Sequence, residues 1–371
     1  MSKVKVGVIG CGNISSIYFQ AGQTFANFEI AACADLNLER AQACAEQFQI
    51  PKACTVEQLL ADPDIQLIIN LTIPASHADI HLRALEAGKH TYGEKPLAVE
   101  LEDGRRILSL AKEKNLLVGA APDTFLGGGI QTCRKLIDDG WIGEPIAATA
   151  FMMYHGPEKF HPNPDFLYQK GAGPMFDMGP YYLTALINLI GPVCRVTGAA
   201  RTTFKERMVR NETNYGRRFP VETPTHIAGI LEFENGAVGT IVTSFDVWGT
   251  RVPHIEIHGT TGSLIVPDPN HFGGPIYIKR QDYTEFIEVP LTHGFTTNSR
   301  GLGVMDMANA ILHGGGHRAN GELAYHVLEI MHGFHFAANE GKHYEIKSTC
   351  SKPAPLNMNL LKNGMANGYT I

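Results

Sequence analysis

Two short segments carry most of the residue types that can do chemistry. They are TIPASH at positions 72–77 and GEKP at positions 93–96, and each follows an apolar run that predicts a buried strand. In an open α/β sheet, ligands bind outside the carboxyl ends of the strands. Pro96 stiffens the turn after Lys95, because its ring fixes the backbone φ angle. A lysine fixed at that edge is a candidate for chemistry on a bound ligand.

The first predicted strand leads into the sequence GCGNIS at positions 10–15. This is the dinucleotide-binding pattern, with Ser15 in the third glycine position. Gly10 allows the tight turn, Gly12 lets the backbone approach a pyrophosphate, and the next helix points its free N–H groups at that anion. The alternative is a turn that needs glycine only for steric reasons. The preceding strand and following helix favour the dinucleotide.

Asp35 ends the second predicted strand, where a carboxylate accepts hydrogen bonds from ribose hydroxyls. Its charge would repel the 2′-phosphate of NADP, and Arg40 reaches that position only if the loop folds back. The predicted cofactor is therefore NAD, with NADP less favoured. The predicted cofactor contacts are Gly10, Gly12, Asn13, Ile14, Asp35, Arg40, Thr72, Pro74, His77, Glu94 and Lys95.

Apolar strands alternate with helices up to Asp123, which predicts βαβ units and a doubly wound parallel sheet of about six strands. Beyond it, short β runs between His226 and Val289 are linked by turns, so these strands are predicted to be antiparallel. The fold class is α/β: an N-terminal Rossmann sheet at 1–123 and a C-terminal α+β domain with a mostly antiparallel open sheet at 124–371. Residues 201–220 are charged and aperiodic, which predicts a loop or arm.

Composition narrows the function classes. The 371 residues carry a net charge of −6, which does not favour a nucleic-acid partner. No apolar stretch is long enough to span a membrane, and the N-terminus lacks the apolar region of a signal peptide. The 7 cysteines form no C-x-x-C pair, so neither a disulfide framework nor a cysteine zinc site is predicted. We expect a cytoplasmic protein with no membrane partner and no bound metal.

In their order and spacing, these pieces resemble the Gfo/Idh/MocA family, named for glucose–fructose oxidoreductase, inositol dehydrogenase and rhizopine catabolism. The resemblance extends through GVIGCGNIS, NLTIPASHADI, GEKPLAVELEDGRRILSLAKEKNLLV, GAGPMFDMGPYYLTALINLIGP and RGLGVMDMANAI. It implies hydride transfer between nicotinamide and a secondary hydroxyl of a sugar, polyol or glycoside. It also implies a homo-oligomer, a dimer or tetramer, assembled through the C-terminal sheet.

The resemblance assigns the catalytic residues. In the family, the lysine of the EKP motif contacts the substrate hydroxyl and the nicotinamide ribose, and this lysine is Lys95. A family Asp matches Asp177, for which helix capping is the alternative role. The family His four residues later is Tyr181 here. Either Tyr181 transfers the substrate proton with Lys95 lowering its pKa, or Lys95 acts, with or without another histidine, and Tyr181 shapes the pocket.

The loop after the first strand of the second domain supplies further substrate candidates. The resemblance turns this loop towards the cofactor, and His155, His161 and Asp165 lie in it. Together with Lys95, Asp177 and Tyr181, they suit a hydroxyl-rich ligand and not a hydrophobic one. The predicted substrate is therefore a small carbohydrate or polyol.

Two other functions use the same residues. Some members of the family hold NAD tightly and cleave a glycosidic bond by oxidation, elimination and re-reduction, with no net redox change. That reaction needs an acid such as His155 for the leaving group. A non-catalytic, NAD-bound regulatory protein is the second alternative, and the intact EKP motif and Asp177 argue against it.

Overall fold

The computed structural model describes residues 2–360, and the chain forms two compact units. Unit 1 comprises the described parts of Met1–Gly128, Thr292–Leu328 and Pro353–Ile371, and unit 2 comprises Gly129–Leu291 and Glu329–Lys352. The sequence predicts a single division after Asp123, whereas here the chain returns twice to unit 1. The predicted second domain also includes positions 361–371, which lie outside the described residues.

Strands and helices alternate along the first part of the chain. The strands are β1 (Val4–Ile9), β2 (Phe28–Ala34), β3 (Ala53–Cys54), β4 (Leu67–Asn70), β5 (His90–Gly93) and β6 (Val118–Ala120). The helices are α1 (Ser15–Thr24), α2 (Leu38–Phe48), α3 (Val56–Ala61), α4 (Pro74–Glu86) and α5 (Leu101–Lys114).

The rest of the chain is richer in strands. They are β7 (Pro145–Met153), β8 (Val193–Arg201), β9 (Glu206–Met208), β10 (Arg218–Pro220), β11 (His226–Phe233), β12 (Val238–Ser244), β13 (Ile255–Gly259), β14 (Gly262–Val266), β15 (Ile276–Arg280), β16 (Ile287–Val289) and β17 (Tyr344–Glu345). The helices are α6 (Gly128–Asp138), α7 (Gly173–Leu189), α8 (Leu302–His313) and α9 (Gly321–Glu340).

Unit 1 is built on a parallel sheet with the strand order β3-β2-β1-β4-β5-β6. This is the order of a dinucleotide-binding doubly wound sheet, in which the chain reverses direction across the sheet between β1 and β4. Helices cover the strands, so Val4, Val6 and Val8 are fully buried, as are Leu67, Ile68 and Ile69. The predicted six-stranded Rossmann sheet is confirmed.

A buried carboxylate attaches α8 to unit 1. Two backbone N–H groups at the start of α8, those of Gly301 and Gly303, donate to Oδ2 of Asp123, at 2.8 and 3.0 Å. The side chain of Asn27 also donates to the carbonyl of Met305, at 2.8 Å. These contacts are the physical reason why α8 belongs to unit 1, although it follows unit 2 in the sequence.

Unit 2 has a nine-stranded sheet in the order β16-β15-β14-β13-β7-β12-β11-β8-β17. Its described neighbours pair antiparallel except β7 and β12, which run parallel. The predicted mostly antiparallel sheet is therefore confirmed. The predicted arm at 201–220 contains a short antiparallel hairpin formed by β9 and β10. Among residues 2–360, no helix is long and apolar enough to cross a membrane.

Candidate functional site

The glycine turn after β1 has the geometry that a dinucleotide needs. Gly10 has a φ of +103°, and a Cβ there would lie 2.6 Å from the carbonyl oxygen of Leu71, so only glycine fits. A Cβ on Gly12 would meet no atom within 4 Å, so its backbone faces open space that a ligand can enter. Asn13 and Ile14 are exposed just before α1 begins. These observations fit a dinucleotide pyrophosphate at the start of α1.

Asp35 lies beside this turn, as predicted, and already has three partners. Its Oδ2 accepts a 2.9 Å hydrogen bond from the backbone N–H of Cys11, and its Oδ1 accepts one from Asn37, also at 2.9 Å. The loop does fold back, because the guanidinium of Arg40 lies 3.5 Å from Oδ1. The carboxylate is 9% exposed and the Arg40 side chain 56% exposed. A nucleotide ribose at Asp35 would therefore meet both charges.

The segment after β4 is organised by Asn70, a residue that the sequence patterns did not indicate. The fully buried amide of Asn70 accepts from the Thr72 hydroxyl at 2.6 Å and donates to the carbonyl of His77 at 3.0 Å. Its backbone carbonyl accepts the N–H of Glu94 at 2.9 Å. Asn70 thus joins the ends of β4 and β5, and Pro74 begins α4. A polar residue at the end of the apolar run LIIN was the available signal.

Glu94 and Lys95 lie half-buried directly after β5. The Oε1 atom of Glu94 accepts a 2.9 Å hydrogen bond from Tyr18 on α1, and its Oε2 lies 3.2 Å from the donating N–H of Lys95. The phenol of Tyr18 is 1% exposed, and burial together with the Glu94 charge raises its pKa. It therefore remains a donor at neutral pH. Tyr18 on α1 thus anchors the segment that contains Lys95.

His77 lies buried inside unit 1. Its ring is 1% exposed, with Nδ1 2.6 Å from the carbonyl oxygen of Pro96 and Nε2 3.0 Å from that of Thr72. Burial lowers its pKa, which favours the neutral ring. The sequence predicts His77 as a direct cofactor contact, and the structure gives both ring nitrogens backbone partners instead.

In unit 2, Asp177 and Tyr181 are one turn apart on α7, which is the spacing that places two side chains on the same face. Asp177 is half-buried and Tyr181 is 8% exposed. Burial, with the Asp177 charge as the next cause, raises the pKa of Tyr154, which lies directly after β7. Tyr182 has a structural contact, since its hydroxyl lies 2.8 Å from Nδ1 of His254. Tyr182 thus has a protein partner, whereas Asp177 and Tyr181 remain the candidates for the catalytic pair.

His155 takes part in an aromatic and cationic cluster at the carboxyl ends of β7 and β12. Its ring stacks on Trp248 with centroids 3.5 Å apart, and its Nε2 lies 3.3 Å from the Arg207 guanidinium. Burial and the Arg207 charge lower the pKa of His155. Trp248 is 71% exposed and its ring also faces Arg210. No sequence pattern indicated this cluster.

Of the other two substrate candidates, Asp165 pairs with the arm and His161 contacts neighbours in its own loop. Asp165 forms a two-pronged ion pair with Arg217, and this guanidinium lowers the pKa of the carboxyl. The Nδ1 atom of His161 accepts the N–H of Asn163 at 3.1 Å, and its ring packs edge-on against Phe166. Both predicted substrate residues therefore have partners within unit 2. Among the described residues, no group of three or more His, Cys, Asp or Glu side chains is arranged to hold a metal ion.

Comparisons with known proteins agree with this architecture. Residues 4–121 match the model of the oxidoreductase family with an NAD-binding Rossmann fold, and residues 130–265 match the GFO/IDH/MocA C-terminal domain. Levoglucosan dehydrogenase of Pseudarthrobacter phenanthrenivorans is 25% identical over 287 residues, which cover 71% of this chain and 74% of that protein. The dTDP-3,4-didehydro-2,6-dideoxy-alpha-D-glucose 3-reductase of Actinomadura kijaniata is 26% identical over 84% of this chain and 88% of its own length.

A solved structure of levoglucosan dehydrogenase in complex with NADH superposes with a TM-score of 0.82 and 21% identity, covering 94% of this chain and 100% of that one. An NAD binding oxidoreductase from Klebsiella pneumoniae has a TM-score of 0.80 at 19% identity, covering 93% and 99%. At this identity the superpositions show the shared fold. The two family models and the fold together confirm the resemblance: the chain belongs to the Gfo/Idh/MocA oxidoreductase family and carries an NAD-binding Rossmann domain.

Proposed function

We propose that this protein is an NAD-dependent dehydrogenase or reductase that acts on a secondary hydroxyl of a sugar, polyol or glycoside. The observation that carries the proposal is the position of Lys95. It follows β5 at the carboxyl edge of the sheet, two strands from the glycine turn on β1, and it is flanked by the anchored Glu94 and by Pro96. Relatives named as acting on levoglucosan, 1,5-anhydro-D-fructose and D-xylose support a carbohydrate substrate.

Each residue has a distinct task in this proposal. Bound NAD supplies a hydride acceptor at C4 of the nicotinamide. In its neutral amine form Lys95 takes the hydroxyl proton at Nζ as the substrate C–H bond breaks, and the resulting ammonium returns that proton in the reverse direction. Asp35 accepts hydrogen bonds from ribose hydroxyls, and the start of α1 neutralises the pyrophosphate. Asp177 binds a neighbouring substrate hydroxyl, while Tyr181 either transfers a proton or shapes the pocket.

The redox-neutral cleavage of a glycoside receives less support. It needs a side chain that protonates the leaving group, and His155 was the candidate for that acid. Burial and Arg207 lower the pKa of His155, so the neutral ring predominates near pH 7. Its Nε2 then faces the guanidinium as an acceptor and has no proton to donate to a leaving group. No observation favours a purely regulatory function. The EKP segment is held by Tyr18 at Glu94 and by His77 at Pro96, as a segment that positions a reacting lysine would be.

We also propose a cytoplasmic homo-oligomer. All 7 cysteines are free thiols, which suits a reducing compartment. Ile230 and Val238 lie on one face of the unit 2 sheet and are 41% and 48% exposed, while Phe151 on the same face is half-buried. A second copy would cover these apolar side chains. Light scattering coupled to gel filtration tests it: a mass of two or four chains supports the proposal, and a monomer contradicts it.

The function is tested by native mass spectrometry of the purified protein, followed by incubation with sugars, inositols and glycosides. NADH formed from one polyol class, read at 340 nm, supports the dehydrogenase. Cleaved glycoside without net NADH from protein that retains NAD would establish the redox-neutral reaction instead. Lys95→Met should lower kcat by about 10²–10⁴-fold with little change in NAD affinity. The exposed Lys112→Met on α5 is the control, and full activity of Lys95→Met would refute the assignment of Lys95.

A further inference from the structure

We propose that His77 is a positioning residue that sets the place of Lys95 by holding the carbonyl of Pro96. The inference rests on the proposed proton transfer by Lys95 and deepens it. His77 contacts no ligand in this proposal, because its ring is 1% exposed. It acts through the backbone of the residue that follows Lys95.

The ring joins two loops at the same edge of the sheet. His77 lies in the first turn of α4, and its own carbonyl is held by the Asn70 amide at 3.0 Å. From there Nδ1 reaches Pro96 O at 2.6 Å and Nε2 reaches Thr72 O at 3.0 Å. The imidazole therefore spans the gap between the loop after β4 and the loop after β5. Both ends of this span are backbone atoms, so its length constrains the path of the chain.

A second histidine supports the same stretch of chain. The side chain of His81, one turn further along α4, is fully buried, and its Nδ1 lies 2.8 Å from the hydroxyl of Thr91 on β5. Its Nε2 lies so close to Gly93 that a Cβ at that position would overlap the ring. The rings of His77 and His81 meet edge-on with centroids 6.5 Å apart. Two imidazoles thus contact the chain between Gly93 and Pro96, His81 at Gly93 and His77 at Pro96.

The protonation of the ring decides which carbonyl it holds. A neutral imidazole carries one N–H. The shorter contact assigns that proton to Nδ1, which donates to Pro96. Burial is the largest influence on the His77 pKa and outweighs the carbonyls of Pro96 and Thr72 and the Glu94 charge, which raise that pKa, so the net shift is downward. The Lys95 charge also lowers it, and the neighbouring His81 is itself kept neutral by burial. The held carbonyl is therefore that of Pro96, whereas the unprotonated Nε2 lies beside Thr72 O without a hydrogen bond.

Lys95 consequently lies between two fixed points. On one side Glu94 is bonded to Tyr18, and on the other Pro96 is bonded to His77. Releasing Pro96 lets the Lys95 backbone shift while the glycine turn and Asp35 remain in place. A displacement of about 1 Å at a reacting group costs about 100-fold in rate. The expected signature is a loss in kcat with little change in cofactor affinity.

Two amide substitutions separate the two contacts. Asparagine places its amide N–H near the position of Nδ1, and glutamine places it near Nε2. His77→Gln should lose the Pro96 bond and lower kcat by about 10–100-fold, with the Kd for NAD and the KM for the substrate within about threefold. His77→Asn should recover kcat to within about threefold of the wild type. The same two substitutions at His317 are the matched control, since this ring is also buried and lies 3.0 Å from the carbonyl of Val118.

A readout without turnover keeps this inference separate from the proposed function. The acetylation rate of Lys95 by acetic anhydride, followed by peptide mass spectrometry, should move towards that of exposed Lys112 in His77→Gln and stay near the wild-type rate in His77→Asn. If the wild type oxidises no substrate, the proposed function fails and acetylation alone decides on His77. Equal behaviour of both His77 variants, recovery by glutamine instead of asparagine, or equal losses in the His317 variants would each overturn the positioning role.

Discussion

The phenol of Tyr18 donates a 2.9 Å hydrogen bond to Oε1 of Glu94, and so connects the helix that follows the glycine turn with the segment that carries Lys95. The two residues are 76 positions apart in the sequence. The bond joins α1, which begins at the glycine turn, to the residue that directly follows β5. The parts of unit 1 proposed to bind the cofactor and to move the proton are therefore mechanically joined.

Tyr18→Phe should weaken both the fold of unit 1 and the reaction. A hydrogen bond to a charged group contributes about 1.5–3 kcal/mol, and kcat should fall about tenfold as Glu94 loses its anchor. Tyr344→Phe is the matched control, since its phenol donates to Oε1 of Glu329 at 3.2 Å in unit 2. The melting temperature should fall in both variants, whereas kcat should fall only in Tyr18→Phe. Unchanged kcat in Tyr18→Phe would show that Glu94 is held well enough by its other contacts.

Asp35→Ser should relax the preference for NAD over NADP. The substitution removes a charge that repels the 2′-phosphate and releases Arg40, whose guanidinium lies 3.5 Å from the carboxylate, to bind that phosphate. The Kd for NAD should rise about tenfold, and NADP should bind more tightly than to the wild type. Fluorescence titration with both nucleotides measures the change.

The double variant Asp35→Ser with Arg40→Ala should lose the gained NADP affinity, because the guanidinium is then gone. Asp64→Ser is the control, since Asp64 pairs with Lys5 at 3.2 Å elsewhere in unit 1. Discrimination that stays at the wild-type level in Asp35→Ser would remove Asp35 from the ribose site.

Asp123 should make the stability of unit 1 depend on pH. Burial raises its pKa from 3.8 to about 6, so the folded state binds the proton more tightly than the unfolded chain. The contribution of Asp123 to the free energy of unfolding is therefore most favourable below about pH 4. It falls by up to about 3 kcal/mol as the pH rises through about 6. Asp123→Asn keeps an oxygen acceptor for Gly301 and Gly303 without the charge, so its melting temperature should rise relative to the wild type between pH 4.5 and pH 7.5.

Asp103→Asn on α5 tests whether that pH dependence belongs to Asp123, because Asp103 forms only a 3.3 Å surface pair with Arg106 among its described ion pairs. Its melting temperature should follow the wild type at both pH values. A difference between Asp123→Asn and the wild type that does not change with pH would contradict the raised pKa.

Arg207→Met should destabilise the arm of unit 2. The buried guanidinium lies 3.2 Å from Glu158 and 2.6 Å from Asp246, whose side chains are 4% and 10% exposed. Removing one partner of a buried ion pair costs about 3–5 kcal/mol, because the remaining charges lose their compensation. Limited proteolysis should then cut within 202–224. Adding Glu158→Gln and Asp246→Asn should restore resistance, and protection already present in Arg207→Met alone would disprove the ion-pair role.

Sequence patterns were sufficient for the parallel sheet of unit 1 and for its assignment as an NAD-binding Rossmann domain. The alternation of apolar strands and helices predicts the parallel sheet, because strands buried on both faces need continuous apolar runs. GCGNIS predicts the dinucleotide turn, since its tight backbone accepts few residue types, and Asp35 at the end of the second strand predicts the ribose contact. Each of these signals is local, so each element can be predicted from a window of about 10–20 residues.

Only the tertiary structure decided the partners of the polar residues. Tyr18 meets Glu94, Arg207 meets Glu158 and Asp246, and α8 returns to Asp123 from 178 positions away. Such contacts leave no periodicity in the sequence, because they depend on how distant elements pack. The same reason explains His77 and Asp165, whose residue types suit a ligand but whose surroundings supply a backbone carbonyl and an arginine instead. Residue types determined what chemistry was available to this protein, and packing determined which side chains were left to perform it.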